Sequence, residues 1–290
     1  MRHSSESIRR KFNRSAEGGY NQYAEVQRDM ADWLAQSLDT VKLPCDEAAS
    51  EWLEIGCGTG FLSEKLLSRP CASLTALDLS PDMLRQAEAR VQAFYRYPNR
   101  ERSRPRIRFL LADVETWAPS AEPLSYDIIA SGACFQWLRR PRETLRSLGG
   151  LLRSGGWLAF TTFGPETFRE LHESFEEAHR LSGLQPEHHG LTLKPADAWQ
   201  TCLSEAGFID MECERVVRRK TYPSVVDFLH AVKAVGAGAS EANASNGLGR
   251  RRLFADMIRT YDSRFRQGDG VAVTYDLLLF RARSAFTGPS

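Results

Sequence analysis

Between residues 50 and 163, short apolar runs alternate with amphipathic stretches. The runs at 51–55, 73–78, 107–112, 126–131 and 156–163 read as strands. The stretches at 60–68, 81–97 and 141–152 read as helices, the second opened by Ser80 and Pro81 as cap and first-turn residues. Alternation of this kind predicts a parallel sheet with helices on both faces, since each parallel crossover needs a covering element with an apolar stripe to bury. Upstream, Tyr23, Val26, Met30, Trp33, Leu34 and Leu38 recur at three- and four-residue spacing, so most of 1–48 reads as helix, ending near Pro44.

The second half is less regular. Helices are expected at 165–181 and at 195–206, the latter started by Pro195 and stopped by Gly207. Phe208 to Lys220 and Val271 to Arg283 read as two more strands, making seven in a mostly parallel sheet. About fifty residues separate those two strands. They look helical at 223–235 and 248–266, around a loop of small residues starting at Gly236. Four segments follow: a helical cover (1–48), an α/β core (49–221), a helical lid insertion (222–268), and a last strand with its tail (269–290). The cover and the insertion are expected over the carboxyl edge of the sheet.

The chemistry concentrates at 52–60, Trp-Leu-Glu-Ile-Gly-Cys-Gly-Thr-Gly, where a strand ends in Glu54 and Gly56, Gly58 and Gly60 alternate before a helix start. Strand, glycine turn and helix N-terminus make a nucleotide-cofactor site, because glycine lets backbone approach a ligand closely. A dinucleotide fingerprint would place its third glycine at position 61, which here is Phe61. Glu54 would repel a pyrophosphate but suits a cofactor with a positive ammonium, the methionine part of S-adenosylmethionine. Asp78 ends the second strand, where a carboxylate can accept from both ribose hydroxyls. Asp113 ends the third, placed to accept from the adenine amino group. A glycine triplet alone is an ordinary tight turn, and Asp78 alone could cap the next helix. Three acids at strand ends, one beside the glycine turn, favour the cofactor site. The pattern resembles the class I S-adenosylmethionine-dependent methyltransferases. That resemblance implies a Rossmann-like fold and adds Leu79, Met83, Val114 and Ser131 to the cofactor contacts.

No apolar run approaches the roughly 18 residues a membrane span requires. The opening residues lack an apolar signal region, so a cytoplasmic protein is expected. The six cysteines show no Cys-x-x-Cys spacing, which favours reduced thiols over a zinc site or disulfides, and no metal is expected. Net charge is +1, but arginine and lysine cluster at 9–14, 96–108, 139–142, 218–220 and 250–252. Each cluster alone is a solvated face. Together they suit an acidic macromolecule, either nucleic acid or an acidic carrier protein.

The acceptor is constrained by what is missing. After the fourth strand stands Ser131-Gly-Ala-Cys-Phe-Gln-Trp137 rather than an Asn/Asp-Pro-Pro-Tyr/Phe motif, which disfavours methylation of a base amine. Few aromatic residues interleave the 96–108 arginines, which keeps nucleic acid a weak reading. His172 and His179 share a helix face with Glu176, and a solvated surface is the simpler account of them. With no base evident, an acceptor that needs none is favoured, and a carboxylate is already ionised at neutral pH.

A closer resemblance lies in the flanks. Arg10 to Gln27, Leu77 to Leu84, Phe135-Gln-Trp137, Phe160 to His172, Val232 to Ala237 and Thr274 to Phe280 are similar to the malonyl-acyl-carrier-protein O-methyltransferases of biotin synthesis. The resemblance implies methylation of the free carboxylate of a malonyl thioester on an acidic acyl carrier protein, or on CoA. S-adenosyl-L-homocysteine is the implied product, and neither membrane nor nucleic acid is an implied partner. Lys233 would orient the malonyl carboxylate, or be a solvated lysine. Tyr20 would close over the sulfonium or bind the carboxylate, or simply pack at a helix start. Two alternatives stay open: methylation of another small acid or metabolite, and an assembly factor that binds cofactor without transfer.

Overall fold

The computed structural model describes residues 4–96, 104–183, 185, 189–237 and 248–285. Arg100 and Arg102 of the arginine-rich stretch, His3, His188 and most of the small-residue loop after Gly236 lie outside these residues.

Strand β1 (Glu51–Ile55) pairs in parallel with β2 (Ser73–Asp78) on one side and β4 (Tyr126–Gly132) on the other. β3 (Arg106–Leu111) joins β2 and β5 (Leu152–Phe163) joins β4, both in parallel. Adding β6 (Phe208–Tyr222) and β8 (Gly270–Ser284), the sheet runs β3-β2-β1-β4-β5-β8-β6. A two-residue strand, β7 (Arg266–Gln267), pairs antiparallel with β8 and, among the described residues, is the strand the sequence did not announce. The Rossmann-like α/β expectation therefore holds. β5 starts four residues early, at Leu152, and Gly155, at φ +75°, sits in the irregular stretch where pairing with β4 shifts from Tyr126–Leu152 to Ile128–Trp157.

The chain divides into two compact units. The first takes in Met1–Thr162, Pro195–Glu214 and Leu278–Ser290. Strand residues alternate between its two apolar layers. Trp52, Ile128 and Leu279 pack with Leu34, Leu62, Leu66 and Val91 from α3 (Glu25–Ser37), α4 (Phe61–Leu66) and α5 (Pro81–Phe94). Their neighbours Leu53, Ile129 and Phe280 pack on the other side with Leu145, Leu148, Trp199 and Leu203 from α7 (Pro141–Leu151) and α9 (Ala196–Glu205). Burying each large side chain contributes about 1.5–3 kcal/mol, so the double-sided burial holds the strand ends, and whatever they carry, rigidly in register. Ser80 caps α5 by accepting from the Met83 N–H at 3.2 Å, with Pro81 in the first turn as expected.

Before the sheet, the expected helix is broken. α1 (Ser5–Glu17) starts at a Ser4 cap, and α2 (Tyr20–Tyr23) is separated from α3 by Ala24. Ala24 is fully buried at φ −84°, ψ 37°, a tertiary fit that no residue propensity marks. A four-residue α6 (Val114–Trp117) follows β3, capped by Asp113.

The second unit takes in Phe163–Lys194 and Arg215–Leu277, with helices α8 (Arg169–Ser182), α10 (Val225–Ala234) and α11 (Leu248–Arg264). Phe168, Phe228 and Tyr261 form its aromatic centre, with ring centroids 5.2 and 6.0 Å apart along the series. Buried Asp276 holds Arg215 through both carboxylate oxygens, at 2.7 and 3.1 Å. His179 is not on a solvated face: it is buried, and its Nε2 meets His189 Nε2 at 2.9 Å. No helix among the described residues is long and apolar enough to cross a membrane.

Candidate active site

The glycine turn is built by β2. The N–H groups of Gly56 and Cys57 both donate to the Leu77 carbonyl, at 2.8 and 3.0 Å, and the Gly58 N–H donates to Asp78 Oδ2 at 2.8 Å. Gly56, Gly58 and Gly60 sit at φ +67°, +54° and +84°, which explains why glycine stands at every second position. The turn forms one wall of a cleft with about 760 Å³ of empty space, part of it open to solvent. Asp78, Leu79, Met83, Asp113 and Val114 continue that wall from the ends of β2 and β3. Ser5, Ile8 and Phe12, one face of α1, stand with Tyr20 in another part of the lining.

Asp78 is nearly buried and accepts a second backbone N–H, from Ser80, at 2.8 Å. Burial pushes its carboxyl up to about 6, against the downward pull of those backbone bonds. Tyr20 and Cys134 feel the same desolvation, reinforced by the Asp78 charge. The Tyr20 phenol is raised well above its ordinary value and the Cys134 thiol is pushed up to about 12. Both keep their protons at neutral pH, so Tyr20 is a hydrogen-bond donor and not a base.

Asp113 accepts from Ser5 Oγ at 2.6 Å, Arg139 Nη2 at 3.1 Å and the Glu115 N–H at 3.0 Å. Beside it, Glu115 takes Arg139 Nε at 2.6 Å and the Arg139 and Arg140 N–H groups at 2.9 and 2.6 Å. Every carboxylate in the cavity wall thus already has donors. Phe12 meets Trp137 edge-on, ring centroids 5.3 Å apart, which fixes α1 against the segment after β4.

Comparison with known proteins decides the family. A model of a methyltransferase domain matches residues 22–212. The malonyl-acyl-carrier-protein O-methyltransferase of Paenibacillus sp. (strain JDR-2) is 45% identical, over 95% of this chain and 98% of its own length. That of Brevibacillus brevis is 43% identical, over 92% of each chain. The chain belongs to the malonyl-acyl-carrier-protein O-methyltransferases. Among solved structures, the YcgJ protein from Bacillus subtilis superposes with a TM-score of 0.58 at 16% identity, over 88% of this chain and 98% of its own. Phosphoethanolamine N-methyltransferase 2 of Haemonchus contortus, solved with S-adenosylhomocysteine, gives 0.53 at 17% identity, over 96% of this chain and 60% of its own. At such identities these two establish the fold.

In this methyltransferase the residues singled out from the sequence separate into three groups. Tyr20, Gly56, Gly58, Asp78, Leu79, Met83, Asp113 and Val114 line the one cavity. Glu54, Gly60 and Ser131 are buried and are not part of its lining. Glu54 Oε2 accepts from Ser63 Oγ, Gly60 caps α4 with a Cβ position 3.0 Å from Ala87 Cα, and Ser131 Oγ donates to the Ile55 carbonyl at 2.9 Å. Lys233 stands exposed on α10, in the second unit. Sequence reasoning missed the α1 face and the Glu115–Arg139 pair. The three- and four-residue spacing of Ser5, Ile8 and Phe12 was available as a signal. Arg139 looked like one more surface arginine.

Glu54 carries a pH consequence. Burial raises its carboxyl from 4.5 to about 8, only partly offset by the Ser63 bond. A carboxyl with a raised folded pKa binds a proton in the folded chain that the unfolded chain releases. Its stabilising contribution is complete below 4.5 and is lost as pH climbs towards 8. The ligand-free methyltransferase is therefore expected to show a falling thermal midpoint from pH 6 to 8. Glu54→Gln, which cannot ionise, should flatten that decline. A midpoint slope identical in both proteins would show that Glu54 ionises as freely as in the unfolded chain.

Proposed function

We propose that this chain transfers a methyl group from S-adenosylmethionine to the free carboxylate of a malonyl thioester on acyl carrier protein, releasing S-adenosylhomocysteine and a malonyl methyl ester for pimeloyl and biotin synthesis. The observation that carries this reading is the state of the cavity's ionisable groups. Tyr20 and Cys134 are held protonated, and Asp78, Asp113 and Glu115 are occupied by N–H, hydroxyl and guanidinium donors. Among the described residues that line the cavity there is no histidine or lysine to serve as a general base, which favours an acceptor that arrives ionised. A malonyl carboxylate does.

The residues present fit the cofactor. When bound, S-adenosylmethionine supplies an electrophilic methyl group and departs as a neutral thioether. The glycine turn admits close backbone approach, Asp78 offers oxygens to the ribose, and Asp113 to the adenine edge, bordered by Leu79, Met83 and Val114. Tyr20 offers its phenol O–H to the acceptor carboxylate as a hydrogen bond, keeping its own proton, and α1 supplies part of the cavity wall. Arg9, Arg10 and Arg14 are exposed on α1, whose other face lines the cavity. Their charge suits an acidic carrier protein. All six cysteines are free, in keeping with a reducing cytoplasm.

The test compares malonyl- with acetyl-carrier protein, which differ by the carboxylate alone. S-adenosylhomocysteine should accumulate with the first and stay at background with the second. Equal accumulation would remove the carboxylate from the reaction.

A further inference from the structure

Directly after β4 the chain makes a turn that glycine would normally occupy. Ala133 stands at φ +49°, in the left-handed region that disfavours a side chain. Its N–H donates to the Thr161 carbonyl at 3.0 Å, which ties the front of the turn to β5. Its carbonyl accepts from Gln136 Nε2 at 2.6 Å. The other end of that amide, Gln136 Oε1, accepts from Thr162 Oγ1 at 3.1 Å. The two partners define the amide orientation: a backbone carbonyl can only accept, so nitrogen must face Ala133 and oxygen must face the Thr162 hydroxyl. Thr162 is fully buried, so the hydroxyl is itself immobile.

The turn is a joint of the cavity. Gly132, Ala133 and Cys134 line it, Cys134 abuts Gly56 of the glycine turn, and Trp137 carries the contact to Phe12 of α1. A strained turn persists only where its surroundings over-determine it. Here the Thr161 carbonyl and the Gln136 amide are those surroundings.

We propose that Gln136 is a positioning residue for methyl transfer: its amide, held between the Ala133 carbonyl and the Thr162 hydroxyl, keeps the left-handed Ala133 turn rigid and so sets the cavity wall between the glycine turn and Trp137. Its influence falls on alignment more than on affinity. In-line transfer is sensitive to shifts of about 1 Å, worth up to roughly 100-fold in rate, whereas binding tolerates them. The inference rests on the proposed methyl transfer for its rate readout alone.

The experiment uses the full chain and three variants. Gln136→Leu keeps the volume and removes the amide. Its kcat with malonyl-carrier protein should fall about tenfold or more, its S-adenosylhomocysteine affinity by less than about threefold, and backbone hydrogen exchange across 131–137 should quicken. Ala133→Gly in that background should restore most of the lost kcat, because glycine holds a positive φ without support. Thr162→Val, which removes only the orienting hydroxyl, should show a smaller loss of the same kind, and it carries the test if Gln136→Leu does not fold. Unchanged kcat and exchange in the folded variants would overturn the proposal, as would an Ala133→Gly change that deepens the loss. If the wild-type chain methylates no malonyl thioester, the functional reading fails by itself, and exchange at 131–137 still decides the role of Gln136.

Discussion

Asp78→Ala is expected to lower S-adenosylhomocysteine affinity by at least about 100-fold, measured by calorimetry. Two losses combine. The carboxylate accepts from the Gly58 and Ser80 N–H groups, both at 2.8 Å, and the first of these bonds ties the glycine turn to β2. Hydrogen bonds to a charged group contribute about 1.5–3 kcal/mol each, and leaving a buried N–H unpaired costs about as much again. The same oxygens are the ones offered to the ribose, so the ligand loses its acceptor while the turn loses its tether. About 2.7 kcal/mol is already 100-fold in affinity. Asp78→Asn preserves the shape but turns a donor towards one of the two N–H groups, and should fall between. Binding within about threefold of the wild type in the alanine variant would mean that the carboxylate neither shapes the turn nor meets the cofactor.

Gly56→Ala is expected to destabilise the fold itself, by roughly 3 kcal/mol. An alanine at φ +67° adds strain of about 1–2 kcal/mol, and its Cβ would lie 2.7 Å from Cys134 Cβ, an overlap costing about 1–3 kcal/mol more. For 290 residues that corresponds to a thermal midpoint lower by about 5 °C. Gly58→Ala makes the contrast. No atom lies within 4 Å of its Cβ position, and Gly58 lines the cavity. That variant should fold with a smaller decrease in midpoint yet bind cofactor poorly. Cys134→Gly in the Gly56→Ala background should recover the part of the loss due to overlap and leave the part due to φ. Calorimetric scanning of the four proteins separates the terms. Equal midpoints for Gly56→Ala and Gly58→Ala would show that Cys134 yields freely.

What could be read from the sequence was what is local. A strand, its terminal acid and a glycine turn lie within a few residues of each other, so 52–60, Asp78 and Asp113 announced themselves. The central strands β1, β2 and β4 are largely apolar runs buried on both faces, and alternation with helical stretches marks them as members of a parallel sheet. The break at Ala24, the burial of His179 and the Glu115–Arg139 pair depend on partners distant in the chain. Ser5 meets Asp113 across 108 residues, and Glu115 holds Arg139 across 24. Composition cannot distinguish such an arginine from the solvated ones around it. The left-handed Ala133 was equally silent, because the support for its strain comes from β5 and from a glutamine that read as part of a family motif. Glu54 gives the mixed case: its strand-end place was legible, while its bond to Ser63 and its absence from the cavity lining were not.

The central claim, that an acceptor carboxylate is esterified, is tested most directly by intact-mass analysis of malonyl-carrier protein incubated with this chain and S-adenosylmethionine. A single added methyl group that mild alkali releases as methanol is the predicted result. An unmodified carrier protein, or a methyl group that survives the alkali, would contradict it.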